Sequence, residues 1–172
     1  MIQHRLLGAV LASIALIGIA LTTDIIVGFP GETEEDYRAT LEAYREVHFD
    51  SGFLFKYSAR PDTRAFRRPE TVPEEEMGRR LAELIDLQMA LSAEVNDRWL
   101  GRTVEVLVEG GSRRDGAQLH GKSREFKTVV FADDGSPAGR LARVRVVGAT
   151  AITLIGESLD APGAQPLVSI GG

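Results

Sequence analysis

Five basic side chains cluster in the second half of the chain, and an aromatic residue lies among them. The cations are Arg113, Arg114, Lys122, Arg124 and Lys127. Phe126 stands between the last two of them. Lys and Arg bind phosphate groups and an aromatic ring stacks on an unpaired base, so this combination is typical of a surface for nucleic acid. The competing interpretation is a solvated basic face without a partner, and the cluster alone does not decide between the two.

Two further arginines lie on a predicted strand downstream of this cluster. The segment LARVRVV, residues 141–147, alternates basic with apolar residues. Successive side chains of a strand point to opposite faces, so Arg143 and Arg145 are expected together on the face away from the apolar residues. These two arginines extend the predicted basic surface.

Other kinds of site chemistry find little support in the sequence. The 172 residues contain no cysteine, which excludes disulfides, thiolate zinc sites, Cys nucleophiles and iron–sulfur clusters held by this chain's own side chains. His4, His48 and His120 are scattered without the spacing of metal ligands, and ordinary surface or boundary roles account for them. No metal site is predicted.

The overall charge hides a difference between two parts of the chain. A net charge of -5 and a pI near 5.3 argue, as averages, against a nucleic-acid partner. However, residues 24–99 carry ten Lys and Arg against seventeen Asp and Glu, whereas residues 100–156 carry nine against six. The pattern changes there from long helical periodicity to short alternating strands. We therefore predict a domain boundary near Leu100, with domains over 22–99 and 100–157.

The N-terminal segment, residues 1–21, contains an uncharged, mostly apolar run of sixteen residues from Leu6 to Leu21. This length suits the apolar core of a signal peptide and is short for a membrane-spanning helix, which needs about 20 residues. No A-x-A-like cleavage site follows, and the run continues directly into a strand-like segment. We therefore favour a buried helix and strand in a cytoplasmic protein. The alternative is a membrane anchor or export signal formed by residues 6–21.

A strand, a short loop, a helix and a second strand are predicted next. The loop is GFPGE, residues 28–32, whose glycines and proline end the first strand. Thr33 is a natural N-cap, and the three acidic residues after it suit the positive end of a helix dipole. FDSGFLFKY, residues 49–57, predicts the second strand. This is the order of one βαβ unit of a parallel sheet or barrel, whose strands need neighbours.

A long helix and a small all-β module complete the predicted chain. An apolar stripe runs at helical spacing from Met77 to Trp99, behind Pro73 and three glutamates. Short strands are then predicted over residues 102–109, 118–123, 126–131, 140–147 and 149–155. Five such strands favour a small closed barrel of the OB-like kind. The polar tail, residues 158–172, is predicted to be disordered.

Three segments, in the same order, resemble the radical S-adenosylmethionine methylthiotransferases. TTDIIVGFPGETEEDY at 22–37 and FDSGFLFKYSARPDT at 49–63 are similar to late strands and loops of that family's β/α barrel. Residues 72–131 resemble its connecting helix and its C-terminal TRAM module, a small RNA-binding barrel. Within the family, SRRD followed by LHGKSREFKTVVF is similar to the tRNA-modifying, MiaB-type branch. The implied fold is α+β: the last βαβ portion of a radical-SAM barrel, a long helix and a TRAM barrel.

The resemblance implies an activity that this chain does not carry out by itself. Such enzymes add a 2-methylthio group to N6-isopentenyladenosine beside the tRNA anticodon, using S-adenosylmethionine and two 4Fe-4S clusters. Cysteines of a CxxxCxxC motif and of an N-terminal domain hold those clusters, and these 172 residues contain no cysteine. We therefore expect no catalytic residue and no bound cofactor in this chain alone. The expected partner of the TRAM module is the tRNA anticodon arm.

By the same resemblance, five residues face the S-adenosylmethionine side of the family barrel. They are Gly28, Gly31, Glu32, Ser58 and Arg60. This chain departs from the family pattern at Asp62, where a glycine usually follows Arg-Pro. A strand-to-helix turn that needs glycine conformations explains GFPGE equally well.

The expected function is that of a tRNA-binding, C-terminal part of a tRNA methylthiotransferase. One alternative is a free-standing or membrane-anchored binding module without a stable tRNA partner. Another is a truncated or frameshifted product with no independent role, in which residues 1–17 replace part of the family barrel.

Overall fold

The computed structural model describes residues 20–68, 71–112 and 117–160. The chain divides into two compact units, Met1–Ser92 and Ala93–Gly172. The first unit contains a two-stranded sheet with helices, and the second contains a closed barrel. The division falls inside the long helix, upstream of the change in charge balance at Leu100. The chain is therefore mixed α+β.

The sheet of the first unit is a parallel pair. Strand β1 is Thr22–Val27 and strand β2 is Ser51–Lys56, with Ile25 opposite Leu54. The second strand begins later than predicted, because Asp50 is hydrogen-bonded to Leu21, the residue before β1, through both its backbone and its side chain. Its N–H donates to the carbonyl of Leu21, and its carboxylate accepts from the N–H of Leu21 at 2.9 Å.

Helix α1, Glu34–Val47, connects the two strands and begins where the sequence predicts. The hydroxyl of Thr33 accepts from the N–H of Asp36 at 3.1 Å, while the Asp36 carboxylate accepts from the N–H of Thr33 at 3.0 Å. The hydrogen bonds that the Asp36 carboxylate accepts from Thr33 lower the pKa of Asp36. The reciprocal cap satisfies two N–H groups that a helix start leaves without partners. The buried face of the helix is formed by Tyr37, Leu41 and Tyr44.

Helix α2, Glu74–Asp97, carries the predicted apolar stripe with one exception. Leu84 and Leu91 are buried with β1, β2 and α1, but Ile85 is 43% exposed. Gln88 is buried, as its place in the stripe predicts. Its amide oxygen accepts from the hydroxyl of Tyr44, and this hydrogen bond makes the burial of a polar group tolerable. A single 3-10 turn, Ala65–Arg67, lies between β2 and α2.

The second unit is a closed five-stranded barrel, as predicted. Its strands are β3 Thr103–Gly111, β4 Gln118–Ser123, β5 Thr128–Ala132, β6 Leu141–Ala149 and β7 Leu154–Ser158. They are paired in the order β3-β4-β5-β7-β6, and β5 with β7 is the parallel pair. Alternate residues fill the interior, among them Val106, Phe131 and Val144, each at most 1% exposed. Closure pairs the strands on both sides, so the barrel has no free sheet edge.

Two predicted strand positions in the barrel are wrong by several residues. The strand predicted over 126–131 begins at Thr128, because Phe126 has a φ of 62° and lies in the preceding turn. The strand predicted over 149–155 begins at Leu154. The Thr150 hydroxyl accepts from the N–H groups of Ile152 and Thr153 instead, which makes those residues a turn.

The predicted disordered tail is partly structured. Strand β7 extends to Ser158, and the N–H of Leu159 donates to the carbonyl of Arg143 at 2.8 Å. Residues 161–172 lie outside the described residues, as do residues 1–19, which include most of the apolar N-terminal segment. In the part of the chain that is described, no helix has both the length and the apolar character needed to cross a membrane.

Candidate functional site

The loop between β1 and α1 is closed by its own glutamate. The N–H of Gly28 donates to Glu32 Oε2 at 2.6 Å. Gly28 has a φ of 76°, and a Cβ at this position would lie 2.2 Å from Cγ of Met77. Glycine is therefore required here by the backbone angle and by the packing of Met77.

Arg80 of α2 holds Glu32 in place. Its buried guanidinium donates to Glu32 Oε2 at 2.7 Å and to Glu76 Oε1 at 2.8 Å, and it lies 5.2 Å from the ring centroid of Tyr37. Burial tends to lower the pKa of Arg80, but the hydrogen bonds to Glu76 and Glu32 outweigh burial and raise it. Hydrogen bonds from Arg79 and Arg80 lower the pKa of Glu76 to about 2. Glu32 therefore neutralises a buried cation and organises its own loop.

The second loop leaves β2 at Tyr57, beside the first loop. The N–H of Tyr57 donates to the carbonyl of Val27 at 2.8 Å, at the ends of the two strands. Gly31 has a φ of 87°, and a Cβ there would lie 2.5 Å from Nη2 of Arg68 in the second loop. Ser58 and Arg60 are exposed. All five residues that resemble the cofactor side of the family barrel thus lie at one edge of the sheet.

Tyr57 and Phe29 are two aromatic residues of this edge that the sequence reasoning missed. Their rings meet edge to face, with centroids 5.3 Å apart. The hydroxyl of Tyr57 is buried and has no hydrogen-bond partner among the described residues. The available signal was an aromatic residue soon after each strand end, where side chains of neighbouring parallel strands meet.

The residues at this edge do not fit an iron–sulfur cluster. No group of His, Cys, Asp or Glu within residues 20–68, 71–112 and 117–160 is arranged to hold a metal ion. The space beside Gly28 and Gly31 is filled by Met77 and Arg68, and Glu32 is committed to its ion pair. Packing within the chain therefore explains these three residues without a cofactor.

Two of the three histidines lie among the described residues. His48 ends α1 with a φ of 55°, and its N–H donates to the carbonyl of Tyr44. His120 Nε2 lies 3.6 Å from a carboxylate oxygen of Glu109. His4 lies outside the described residues.

Phe126 is the most exposed large apolar side chain of the barrel. It is 76% exposed, in the turn between β4 and β5, and its φ is 62°. Lys122 Nζ lies 5.0 Å from the centre of its ring and also donates to Thr128 Oγ1 at 2.8 Å. A bulky residue with positive φ is unfavourable, so the fold presents this ring at a conformational cost. A cation beside an open aromatic face can take a stacked base and its phosphate.

The arginines of the barrel are paired with carboxylates. Arg124 Nη2 lies 2.5 Å from Glu105 of β3. Arg143 donates from its backbone N–H and from its guanidinium to Asp160, and Arg145 Nη2 lies 3.3 Å from Glu157. The backbone hydrogen bond from Arg143 is the main cause that lowers the pKa of Asp160. As predicted, Arg143 and Arg145 lie on the outer face of β6.

One predicted member of the basic surface is buried, and two others lie outside the described residues. Lys127 is only 8% exposed, because it lies on the same face as Val129 and Phe131, which fill the barrel interior. Arg113 and Arg114 lie outside the described residues.

Two exposed leucines join this surface and were not identified from the sequence. Leu107 of β3 pairs with Lys122 of β4 on one side and with Leu141 of β6 on the other. Leu107 is 46% exposed and Leu141 is 55% exposed. The strand register was needed to find them, because their distance in sequence gives no hint that they are neighbours. The barrel surface thus contains apolar as well as basic side chains, and we define it as Lys122, Arg124, Phe126, Arg143 and Arg145 together with Leu107 and Leu141.

No family model matches the chain, but many curated sequences do. The enzyme "tRNA-2-methylthio-N(6)-dimethylallyladenosine synthase" of Parabacteroides distasonis is 48% identical over 142 residues, which are 82% of this chain and 31% of that protein. The Chlorobium limicola enzyme of the same name is 48% identical over 144 residues, 83% of this chain and 33% of its own length. The Moorella thermoacetica enzyme is 46% identical over 143 residues, with 83% and 32% covered.

The chain therefore spans about a third of the length of the curated relatives that it matches. Identity at this level over more than four fifths of the chain is the sign of common descent and not only of a shared fold. By its sequence the chain is homologous to the C-terminal part of the radical S-adenosylmethionine tRNA methylthiotransferases of the MiaB type.

Proposed function

We propose that this chain binds tRNA through its barrel surface, as the RNA-binding part of a tRNA methylthiotransferase. The observation that carries the proposal is Phe126, an open aromatic ring held at positive φ with Lys122 5.0 Å from its centre. An unpaired base of the anticodon loop stacks on this ring, and Lys122 neutralises the adjoining phosphate.

The ion pairs of the barrel surface determine how strongly its arginines contribute. Arg124, Arg143 and Arg145 each have a carboxylate neighbour, so a phosphate competes with an acidic side chain for each guanidinium. Lys122 is hydrogen-bonded to a neutral hydroxyl, so a phosphate does not have to displace a carboxylate of the described residues from it. We therefore expect stacking on Phe126 to matter more for affinity than any one of these arginines.

The first unit has the features of one portion of a larger barrel. In the proposed assignment, β1, α1 and β2 are the last βαβ portion of a radical-SAM barrel, and β3 to β7 are a TRAM barrel. The supporting observation is the sheet face that the helices do not cover, where Ile26, Phe53 and Phe55 are each more than half exposed. Apolar side chains on both faces are typical of a parallel strand with further neighbours.

The complete reaction of the relatives requires more than these residues. Methylthiolation in this family uses S-adenosylmethionine and 4Fe-4S clusters held by cysteine, and these 172 residues contain no cysteine. We therefore assign tRNA binding to this chain and assign it no chemical step.

Filter binding of the full chain to an unmodified tRNA transcript at low salt tests the proposal. We expect the wild-type chain to bind and Phe126→Ala to weaken binding by roughly fivefold to a hundredfold, the range that one stacked base contributes. Circular dichroism should be unchanged, because the ring is exposed and makes no core contact.

Ile152→Ala is the matched control. Ile152 is 70% exposed in another turn of the same barrel, so its removal deletes a similar area of apolar surface. It should leave tRNA affinity at the wild-type value. A wild-type chain that does not bind tRNA, or equal affinities of Phe126→Ala and Ile152→Ala, would refute the proposal.

A further inference from the structure

The loop after β2 is strongly basic although the unit that contains it is acidic. Residues 57–68 contain one acidic residue, Asp62, and four arginines. The arginines are Arg60, Arg64, Arg67 and Arg68. Over residues 24–99 as a whole, acids outnumber basic residues by seven. The loop is therefore a local positive region that the average charge conceals, and we call it the arginine loop.

Three of these arginines are exposed and form no ion pair with any residue that the structure describes. Arg60, Arg64 and Arg67 are exposed, and none of them contacts a carboxylate among the residues that the structure describes. In this they differ from the three barrel arginines, each of which has an acidic neighbour. An unpaired guanidinium offers its planar fork of donors to an external anion without first losing an internal partner.

Local hydrogen bonds hold the arginine loop in one conformation. The hydroxyl of Thr63 donates to the carbonyl of Arg60 at 2.8 Å and accepts from the N–H of Phe66 at 3.2 Å. The N–H of Arg67 donates to the carbonyl of Arg64 at 3.2 Å, in the 3-10 turn. Residues three apart align in such a turn, so Arg64 and Arg67 share one side of it. Little conformational entropy is then lost when the loop meets a ligand.

An exposed aromatic ring lies within the same loop. Phe66 is 53% exposed and stands next to Arg67. Unpaired guanidinium groups with an open aromatic ring form the combination that binds single-stranded RNA, in which phosphates alternate with bases able to stack. An acidic protein segment would use the charges but not the ring.

We propose that the arginine loop is a second RNA-contacting surface of this chain, and that it takes phosphates and a base from a single-stranded stretch of the RNA. This inference rests on the proposed tRNA binding and adds a site outside the barrel. The site was not identified from the sequence, where only Ser58 and Arg60 of this loop stood out.

The test measures the affinity of the full chain for a fluorescent RNA stem-loop with a single-stranded loop, between about 50 and 200 mM salt. The triple variant Arg60→Gln, Arg64→Gln, Arg67→Gln should bind roughly tenfold more weakly at low salt. The slope of log affinity against log salt should become shallower by about 2, since each lost phosphate contact removes about 0.7 to 0.9.

The control removes the same number of charges elsewhere. Arg38, Arg45 and Arg98 are also exposed, and their triple replacement by Gln should leave affinity and slope close to those of the wild type. Photo-crosslinking of RNA that contains 4-thiouridine supplies a second measurement, and it should label residues within 60–68.

The outcomes separate this inference from the proposed function. If the wild type binds, Phe126→Ala weakens binding and the loop variant behaves as the control, the arginine loop is not an RNA surface and the barrel proposal stands. The same result is expected if the arginine loop binds an acidic protein segment instead of RNA. If the loop variant weakens binding and Phe126→Ala does not, the arginine loop is supported and the barrel surface is refuted. A wild type that binds no RNA overturns both.

Discussion

The two sheets of this chain differ in how completely they satisfy their own strands. The barrel closes on itself, and each strand from β3 to β7 has two neighbours. The parallel pair of β1 and β2 has no third strand among the described residues, and one of its faces leaves Phe53 and Phe55 exposed. The barrel therefore has the properties of an independent module, whereas the pair depends on α1 and α2 to bury one face.

The same contrast extends to the arginines. On the barrel, Arg124, Arg143 and Arg145 lie on or next to paired strands, and each has a carboxylate of a neighbouring strand or of its flanking residues beside it. On the loop after β2, the guanidinium groups of Arg60, Arg64 and Arg67 have no carboxylate partner within the described part of the chain. Proximity to paired strands thus brings acidic partners to the three barrel arginines, whereas the loop after β2 has no such neighbour strand among the described residues.

The largest expected effect comes from the ion pair that joins the first unit together. Arg80→Met leaves the carboxylate of Glu32, whose side chain is 11% exposed, without its partner and releases the loop that Glu32 closes. Removal of one member of a buried pair typically costs about 3 to 5 kcal/mol. Urea unfolding followed by circular dichroism should show a transition of the first unit at lower urea.

The barrel provides the internal comparison for Arg80→Met. Its transition should stay at the wild-type urea concentration, because its core contains no residue of this network. Arg79→Gln is the matched control on the neighbouring, exposed arginine, and it should have little effect on either transition. Loss of both transitions in Arg80→Met would show that the two units unfold as one.

Phe126→Gly should separate stability from binding in the barrel. The residue has a φ of 62°, a conformation that costs an L-residue about 1 to 2 kcal/mol and costs glycine nothing. The greater freedom of glycine in the unfolded chain offsets about 0.5 to 1 kcal/mol of this gain, so the variant should unfold at slightly higher temperature, by calorimetry, and should also bind tRNA more weakly. Phe126→Ala keeps the backbone cost and loses only the ring, so it should not be stabilised. A destabilised Phe126→Gly would mean that the ring has packing partners the structure does not reveal.

The fold follows from the sequence where a single rule governs a segment. Thr33 with three acids predicted the start of α1, and the alternation of valines predicted β3. The sequence-based prediction failed where β propensity competed with side-chain hydrogen bonding to the backbone. The β-branched residues around Thr150 favour a strand, but the Thr150 hydroxyl captures two N–H groups and forms a turn.

The candidate sites were harder to predict than the fold. The charge of Lys127 suggested a surface position, but the residue shares the interior face of Val129 and Phe131 and is buried. The carboxylates beside Arg124 and Arg143 lie nearly twenty residues away in the sequence, so only the strand register reveals them. A basic run shows that charge is present but not whether it is already neutralised.

The smallest expected effect lies at Asp62 of the arginine loop. Its φ of 68° is the left-handed conformation that the glycine of the family pattern adopts without strain, and Asp tolerates it better than most residues do. Asp62→Gly should therefore change the free energy of unfolding by less than about 1 kcal/mol, because relief of strain is offset by the greater freedom of glycine in the unfolded chain.

Asp62 also carries the one negative charge within residues 57–68, and two variants separate its charge from its conformation. Asp62→Asn keeps a residue that tolerates positive φ and removes only the charge. If the arginine loop binds RNA, both variants should raise the affinity for the stem-loop RNA by roughly twofold to fivefold, the scale of one exposed charge. A rise in Asp62→Gly alone would assign the effect to loop conformation. Unchanged affinity in both would mean that this charge lies too far from the RNA to matter, which would weaken the contrast between the unpaired loop and the neutralised barrel.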